Sequence, residues 1–399
     1  MNQRALFLRH VAQTSAAPLS LEIAKAKGSS LFDVAGKEYI DLIGGISVAN
    51  TGHGHPVVIE AIKQQLDQYL HVMVYGEVVQ SPQVQYAKLL SDHLPEQLNS
   101  VYFTNSGAEA VEGAMKLAKR YTNRTKIIAA KNSYHGSTQG ALSILGDEYW
   151  RNAYRPLLPG ILHIDYNSYD WLDEIDPATA CVILETVQAE GGIIKPQKEW
   201  IRAVRQKCTE TGTLLVLDEI QAGFGRTGKL WGFQHFDVIP DILLLGKALG
   251  GGMPLGAFIS DRQIMTTFTE NPVLGHITTF GGHPVSCTAG HAALKVLLAE
   301  ELTEGVAAKE ALFKSLLQHP AIKSVRSFGL WMAIDLETFE VNKRLIDALL
   351  QNKEIGVFTD WFLFAASAFR ICPPLTISDE TIKQACAIII KTLNTLSLS

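Results

Sequence analysis

The sequence predicts an α/β protein in which a mostly parallel central sheet carries helices on both faces and is joined to a smaller α+β domain. Three observations predict this. From about residue 82 to residue 284, short apolar runs alternate with segments of helical apolar spacing. The runs are apolar throughout rather than at every second residue, as in strands buried on both faces. The length, 399 residues, exceeds what one hydrophobic core usually serves, so a second domain is expected.

The elements follow in chain order. Residues 21–50 read as strand, turn, strand, with a hairpin turn near Gly36. Residues 57–70 have helical spacing. SVYFTN (100–105) is a strand feeding a helix over 107–122, and KIIAAKNSYHG is a strand and its following loop. ACVILETVQ (180–188), a helix over 199–211, TLLVLDEIQ and DILLLGKAL complete the alternation. After Pro284 the pattern changes to helices over 285–301 and 303–318, the segment KSVRSFGLWMAIDL, a helix over 340–352 and a closing segment beginning at Phe369. The expected division is therefore 50–284 as the large domain and 285–399 as the small one. Residues 1–49 would help to complete the small domain.

Composition narrows the class. The chain is 47% hydrophobic and 19% charged, which is ordinary for a globular protein. A net charge of -5 without a long basic run gives nucleic-acid binding no electrostatic support. No apolar run is long enough to span a bilayer, and the first residues are no convincing signal peptide, because Arg9 and His10 break a short apolar stretch. Five scattered cysteines with no CxxC pair fit reduced thiols, so a cytoplasmic protein without a disulfide framework is expected. No histidine or cysteine cluster has metal-ligand spacing, so no metal is expected.

In such sheets ligands bind beyond the carboxyl ends of the strands, and four candidate groups fall there: Ser106, the pair Glu185 and Glu190, Asp218 and Lys247. Lys247 ends an apolar strand and precedes glycines. Burial disfavours its charged form, and a neutral amine forms Schiff bases with aldehydes. Asp218, at another strand tip, could face a protonated pyridine nitrogen. The plainer alternatives are a lysine reaching solvent beside a turn and an aspartate capping a helix. Asn105-Ser106-Gly107-Ala108-Glu109 joins a strand to a helix. Its free amides suit a phosphate, while Ser106 and Glu109 also have capping-box spacing. Tyr134, in Ser133-Tyr134-His135-Gly136, could stack on a flat ring, and His135 could be a hydrogen-bond partner behind it. The carboxylates of Glu185 and Glu190 suit acid–base work or an arginine partner. Gly223-Phe224-Gly225-Arg226-Thr227-Gly228 has the formal dinucleotide spacing, yet no helix opens at its third glycine, as that fingerprint requires. The glycine-rich loop at Thr278 and Thr279 offers hydroxyls, and Arg370 in an apolar run calls for a carboxylate partner.

The order of these pieces, and above all the stretch LDEIQAGFGRTGKLWGFQHFDVIPDILLLGKALGGGMPLGA, resembles the class III aminotransferases that depend on pyridoxal 5'-phosphate (PLP). These include the acetylornithine, ornithine and 4-aminobutyrate enzymes. The resemblance runs from about Asp41 to ICPPLTI. It implies the PLP-dependent transferase fold type I and a homodimer with shared active sites. Lys247 is then the Schiff-base lysine and Asp218 the partner of the pyridine nitrogen. Ser106, Gly107 and Ala108 match the phosphate cup, and Thr279 a phosphate ligand lent by the neighbouring subunit. Tyr134 matches the stacking residue, Ile220 the opposite face of the ring and Gln221 the partner of the ring hydroxyl. His135 and Glu185 belong to the same cofactor site. Arg370 matches a clamp for the α-carboxylate and Glu190 its switching partner.

The implied reaction moves an amino group from an ω-amino or N-acyl diamino acid to a 2-oxo acid by ping-pong kinetics. Three positions depart from the family pattern, and the first two bear on the substrate. Ser137 stands where the acetylornithine and 4-aminobutyrate enzymes usually have arginine, and serine offers no bidentate clamp. Ile46 stands where the ornithine enzymes have tyrosine, and His283 replaces a more usual asparagine. Within the same fold an aminomutase or racemase would use the same cofactor residues. An NAD(P)-dependent oxidoreductase would rest on the glycine run alone.

Overall fold

The computed structural model describes residues 3–74 and 76–396. Three strands, β1 (Ile23–Lys27), β2 (Ser30–Asp33) and β3 (Glu38–Asp41), form an antiparallel meander with its turn at Gly36. The central sheet comprises β4 (Ser100–Thr104), β5 (Lys126–Ala130), β6 (Ile161–Ile164), β7 (Thr179–Glu185), β8 (Leu214–Asp218), β9 (Ile242–Leu245) and β10 (Gly256–Ser260), in the order β4-β10-β9-β8-β7-β5-β6. β10 is antiparallel to both β4 and β9, while the other pairings are parallel. The remaining strands are β11 (Ser324–Ser327), β12 (Met332–Asp335), β13 (Ile355–Phe358) and β14 (Ala368–Ile371). β11, β12 and β14 form an antiparallel sheet, and β13 pairs in parallel with β3.

β7, β8, β9 and β10 are buried along their whole length, which explains their unbroken apolar sequences. One face of the sheet meets the helix Gly107–Thr122, whose Ala110, Val111, Ala114 and Leu117 pack with Ile183, Val216 and Leu244. The other face is part of a larger core that continues into the C-terminal sheet and helices. The helix expected over 57–70 is shorter, Pro56–Leu66. β6 and β10 were not anticipated from the sequence. The antiparallel β10 makes the sheet mixed at one side.

Register sets up the site. Glu185 and Asp218 are opposite one another at the carboxyl ends of β7 and β8. β9 ends at Leu245, and Lys247 opens the short 3-10 turn Lys247–Gly250 that follows. That turn rests on the helix Pro284–Ala299, and the hydroxyl of Tyr86 donates to the Leu249 carbonyl at 2.6 Å.

Candidate active site

A cavity of about 260 Å³ opens at the carboxyl ends of these strands. Gly107, Ala108, Tyr134, His135, Ser137, Glu185, Asp218, Ile220, Gln221 and Lys247, scattered over the sequence, all line it. Val187 and Ala222 add apolar wall that the sequence did not single out.

Lys247 has φ 48°, a left-handed conformation that costs a residue with a side chain of order 1–3 kcal/mol and is concentrated at functional sites. Burial, the largest influence, pulls its amine below the ordinary lysine range against the attraction of Glu190. A larger share of the amine is therefore neutral and nucleophilic at neutral pH.

Asp218 has both oxygens engaged. His135 Nδ1 lies 2.7 Å from Oδ2, and the Ile220 amide donates to Oδ1 at 2.9 Å. The carboxylate is thus fixed in one orientation. Glu185 beside it accepts from the Tyr134 amide at 3.0 Å and the Ala189 amide at 2.9 Å. Burial, and then the Asp218 charge, nevertheless push its carboxyl well above the ordinary range. Two buried polar atoms of the cavity, His135 Nε2 and Gln221 Oε1, have no protein partner, so a polar ligand has groups waiting for it.

At the helix start, Ser106 caps by accepting from the Glu109 amide at 3.2 Å, and Glu109 in turn accepts from the Asn105 amide at 2.8 Å. The capping reading of this motif therefore holds, and the amides that follow remain available to an anion. A Cβ at Gly107 would lie 2.7 Å from Ile220 Cδ1, so glycine lets Ile220 close over the helix start.

Arg370, on β14, binds Glu190 through both terminal nitrogens, at 2.9 and 3.0 Å. Burial opposes the Glu190 charge, but the guanidinium outweighs it and holds that carboxyl below its usual range. The amide of Gln221, expected to face a ring hydroxyl, points Nε2 at Glu190 Oε1 at 3.4 Å. The ion pair therefore abuts the cavity wall without being part of its lining.

Of the residues expected at the site, Ser106, Thr279 and Ile46 also lie outside this lining. Thr279 is exposed and does not line this cavity, while its neighbour Thr278 accepts from Asn105 Nδ2 at 3.1 Å. Ile46 has φ 63° in a left-handed run from Gly44 to Ser47 and packs near Val187, Ala222 and Cys372, outside the lining. His283, which departs from the family pattern, stacks on His71 at 5.5 Å.

Ser137 shares a 3.1 Å hydrogen bond with the Tyr134 hydroxyl. The two downstream arginines are engaged elsewhere. Arg155 binds both oxygens of Glu148, at 3.0 and 2.9 Å, and Arg151 pairs with the same carboxylate while donating to Leu145 O at 3.2 Å.

The glycine run at 223–228 opens no helix. Arg226 within it is fully buried and donates to Leu330 O and Pro373 O, at 2.8 and 2.6 Å, joining the central sheet to the C-terminal region. Among the described residues there is no cluster suited to a metal ion, and no helix is long and apolar enough to cross a membrane.

Comparison with known proteins identifies the family. Residues 11–393 match the family model described as aminotransferase class-III. The chain is 37% identical over 383 residues to an acetylornithine aminotransferase of Methanopyrus kandleri, covering 95% of each chain. It is 38% identical over 384 residues to ornithine aminotransferase 1 of Staphylococcus aureus, covering 93% of this chain and 94% of the relative. Its fold matches the solved ornithine aminotransferase of Toxoplasma gondii, which has PLP at partial occupancy in its active site. The TM-score is 0.89 with 30% identity, over 97% of this chain and 93% of that one.

Proposed function

The chain belongs to the class-III aminotransferase family, and from that membership we propose that it moves an amino group from an ω-amino or N-acyl diamino acid to a 2-oxo acid, with Lys247 as the Schiff-base residue. The enzyme is a PLP-dependent aminotransferase. The observation that carries the residue assignment is the gathering of Lys247, Asp218, His135 and Gln221 around one cavity, two of whose buried polar atoms lack protein partners.

When bound, PLP supplies an aldehyde for amines and a ring that withdraws electrons from the substrate carbon. The chain's own residues do the rest. Asp218, fixed by His135 and the Ile220 amide, keeps a proton on the ring nitrogen through a charge-assisted hydrogen bond. The amides after Ser106 would hold its phosphate, and Tyr134 and Ile220, both lining the cavity, would hold its ring. The Lys247 amine, buried and partly neutral, would serve as the base and acid that moves a proton at the substrate carbon. Arg370 binds the α-carboxylate of one substrate after Glu190 withdraws.

The acceptor follows from Ser137. With Arg151 and Arg155 committed to Glu148, this chain presents no clamp there for a second carboxylate, which favours a 2-oxo acid carrying only one. A homodimer is proposed because Thr279 stays outside its own cavity and exposed apolar side chains surround it. The five cysteines, all buried and unpaired, support a reducing, cytoplasmic setting.

Initial rates at several concentrations of donor and acceptor test the two-step scheme. Parallel double-reciprocal lines are expected, because the first product leaves before the acceptor binds. Converging lines would reject it.

A further inference from the structure

Arg370 has a second carboxylate. Its Nε donates to Asp360 Oδ1 at 2.9 Å, on the side away from Glu190. One terminal nitrogen also donates to the Trp361 carbonyl at 3.3 Å, and the guanidinium lies 4.4 Å from the Phe362 ring centroid. The backbones are joined as well. The Arg370 amide donates to Asp360 O at 2.9 Å, and Thr359 Oγ1 donates to Arg370 O at 2.5 Å. Glu190 is held by the same segment, since the Leu363 amide donates to its Oε2 at 3.0 Å.

A guanidinium can grip a carboxylate through its two terminal nitrogens or through Nε and one of them. With Nε bound to Asp360, only the terminal fork is left, and that fork is the one on Glu190. If Glu190 departs, the Nε bond, the Trp361 carbonyl and the Phe362 ring remain. Without Glu190 the guanidinium would still be held in place by its Nε hydrogen bond to Asp360. We propose that Asp360 is a positioning residue that holds Arg370 through Nε, so that one fork serves Glu190 and a substrate carboxylate in turn. The proposal rests on the reading of Arg370 as the carboxylate clamp.

The test uses holoenzyme and two aminooxy reagents, aminooxyacetate, which carries a carboxylate, and O-methylhydroxylamine, which does not. Loss of the visible cofactor band gives each rate constant. Asp360→Ala should slow aminooxyacetate about tenfold, the scale of a lost hydrogen bond to a charged group, and leave O-methylhydroxylamine within about twofold. Asp360→Asn keeps an acceptor for Nε and should stay within about threefold of the parent with both reagents. Arg370→Ala should abolish the preference for aminooxyacetate. If Arg370→Ala abolishes it while Asp360→Ala leaves aminooxyacetate unchanged, Asp360 has no positioning role and the clamp stands. If neither variant changes it, the clamp reading itself fails. Equal slowing of both reagents by Asp360→Ala, or an Asn variant as slow as the Ala variant, would also overturn the proposal.

Discussion

The side chains of the cavity divide into those whose chemistry is fixed by a neighbour and those that wait for a ligand. Asp218 belongs to the first group, with His135 and the Ile220 amide on its two oxygens. His135 Nε2 and Gln221 Oε1 belong to the second. The proposal that Ser137 limits the acceptor to one carboxylate gives a gain-of-function prediction. Ser137→Arg would put a planar bidentate donor at the cavity rim. It should raise kcat/KM for 2-oxoglutarate relative to pyruvate by about tenfold, the scale of one charged hydrogen bond. An unchanged ratio in steady-state assays of both acceptors would count against the one-carboxylate reading. Lys247, Asp218, Glu185 and Tyr134 were legible in the sequence because each stands at or just after a strand tip, whereas Ala108, Ser137, Ile220 and Gln221 entered only through the family resemblance. Asp360 was legible in neither way. It sits ten positions before Arg370 beside Trp361, in a run that reads as apolar wall, and only the pairing of its backbone with Arg370 reveals its partner. The left-handed conformation of Lys247 was equally hidden, because nothing in a lysine's neighbours specifies a positive φ.

Among the elements, the turn Lys247–Gly250 is held closely by its neighbours. A Cβ on Gly290 would stand 2.1 Å from the Leu249 carbonyl and 2.6 Å from the Tyr86 ring, so the helix Pro284–Ala299 approaches the turn only because glycine is there. Gly290→Ala raises helix propensity and yet should destabilise by about 1–3 kcal/mol through overpacking. Denaturant unfolding measures this, and a stability equal to or above the parent would show that the turn is not clamped in this way. The strands β7, β8 and β9 could be read from sequence because burial on both faces leaves them uniformly apolar. β6 and β10 could not. β6 has four residues and sits at the sheet edge, and β10 follows a glycine-rich turn from which either direction of pairing is sterically open. A chain reversal into an antiparallel position has no signature in the strand's own residues.

For the whole molecule, the alternation of strands and helices announced the α/β class and the N-terminal residues were expected beside the small domain, but the pairing that joins them did not show. The parallel pairing of β3 with β13 joins residues 38–41 to 355–358, and no periodic pattern encodes a contact at that separation. The proposed dimer rests on side chains that a monomer would leave wet: Val79 is 90% exposed, Val273 71% and Phe280 52%. Sedimentation should give about twice the 43.7 kDa chain mass. A monomer that retains full activity would contradict shared active sites. The central claim is that Lys247 carries the cofactor and starts the reaction, and one measurement tests it most directly. Purified parent and Lys247→Ala proteins are supplied with PLP, and their visible spectra are followed while 4-aminobutyrate, ornithine and N-acetylornithine are added in turn. The parent should show the absorbance of a lysine-bound cofactor and lose it to at least one donor, while the variant shows no such band and no turnover with any donor and acceptor. A parent that shows no band, or a Lys247→Ala protein that binds and turns over like the parent, would contradict the account.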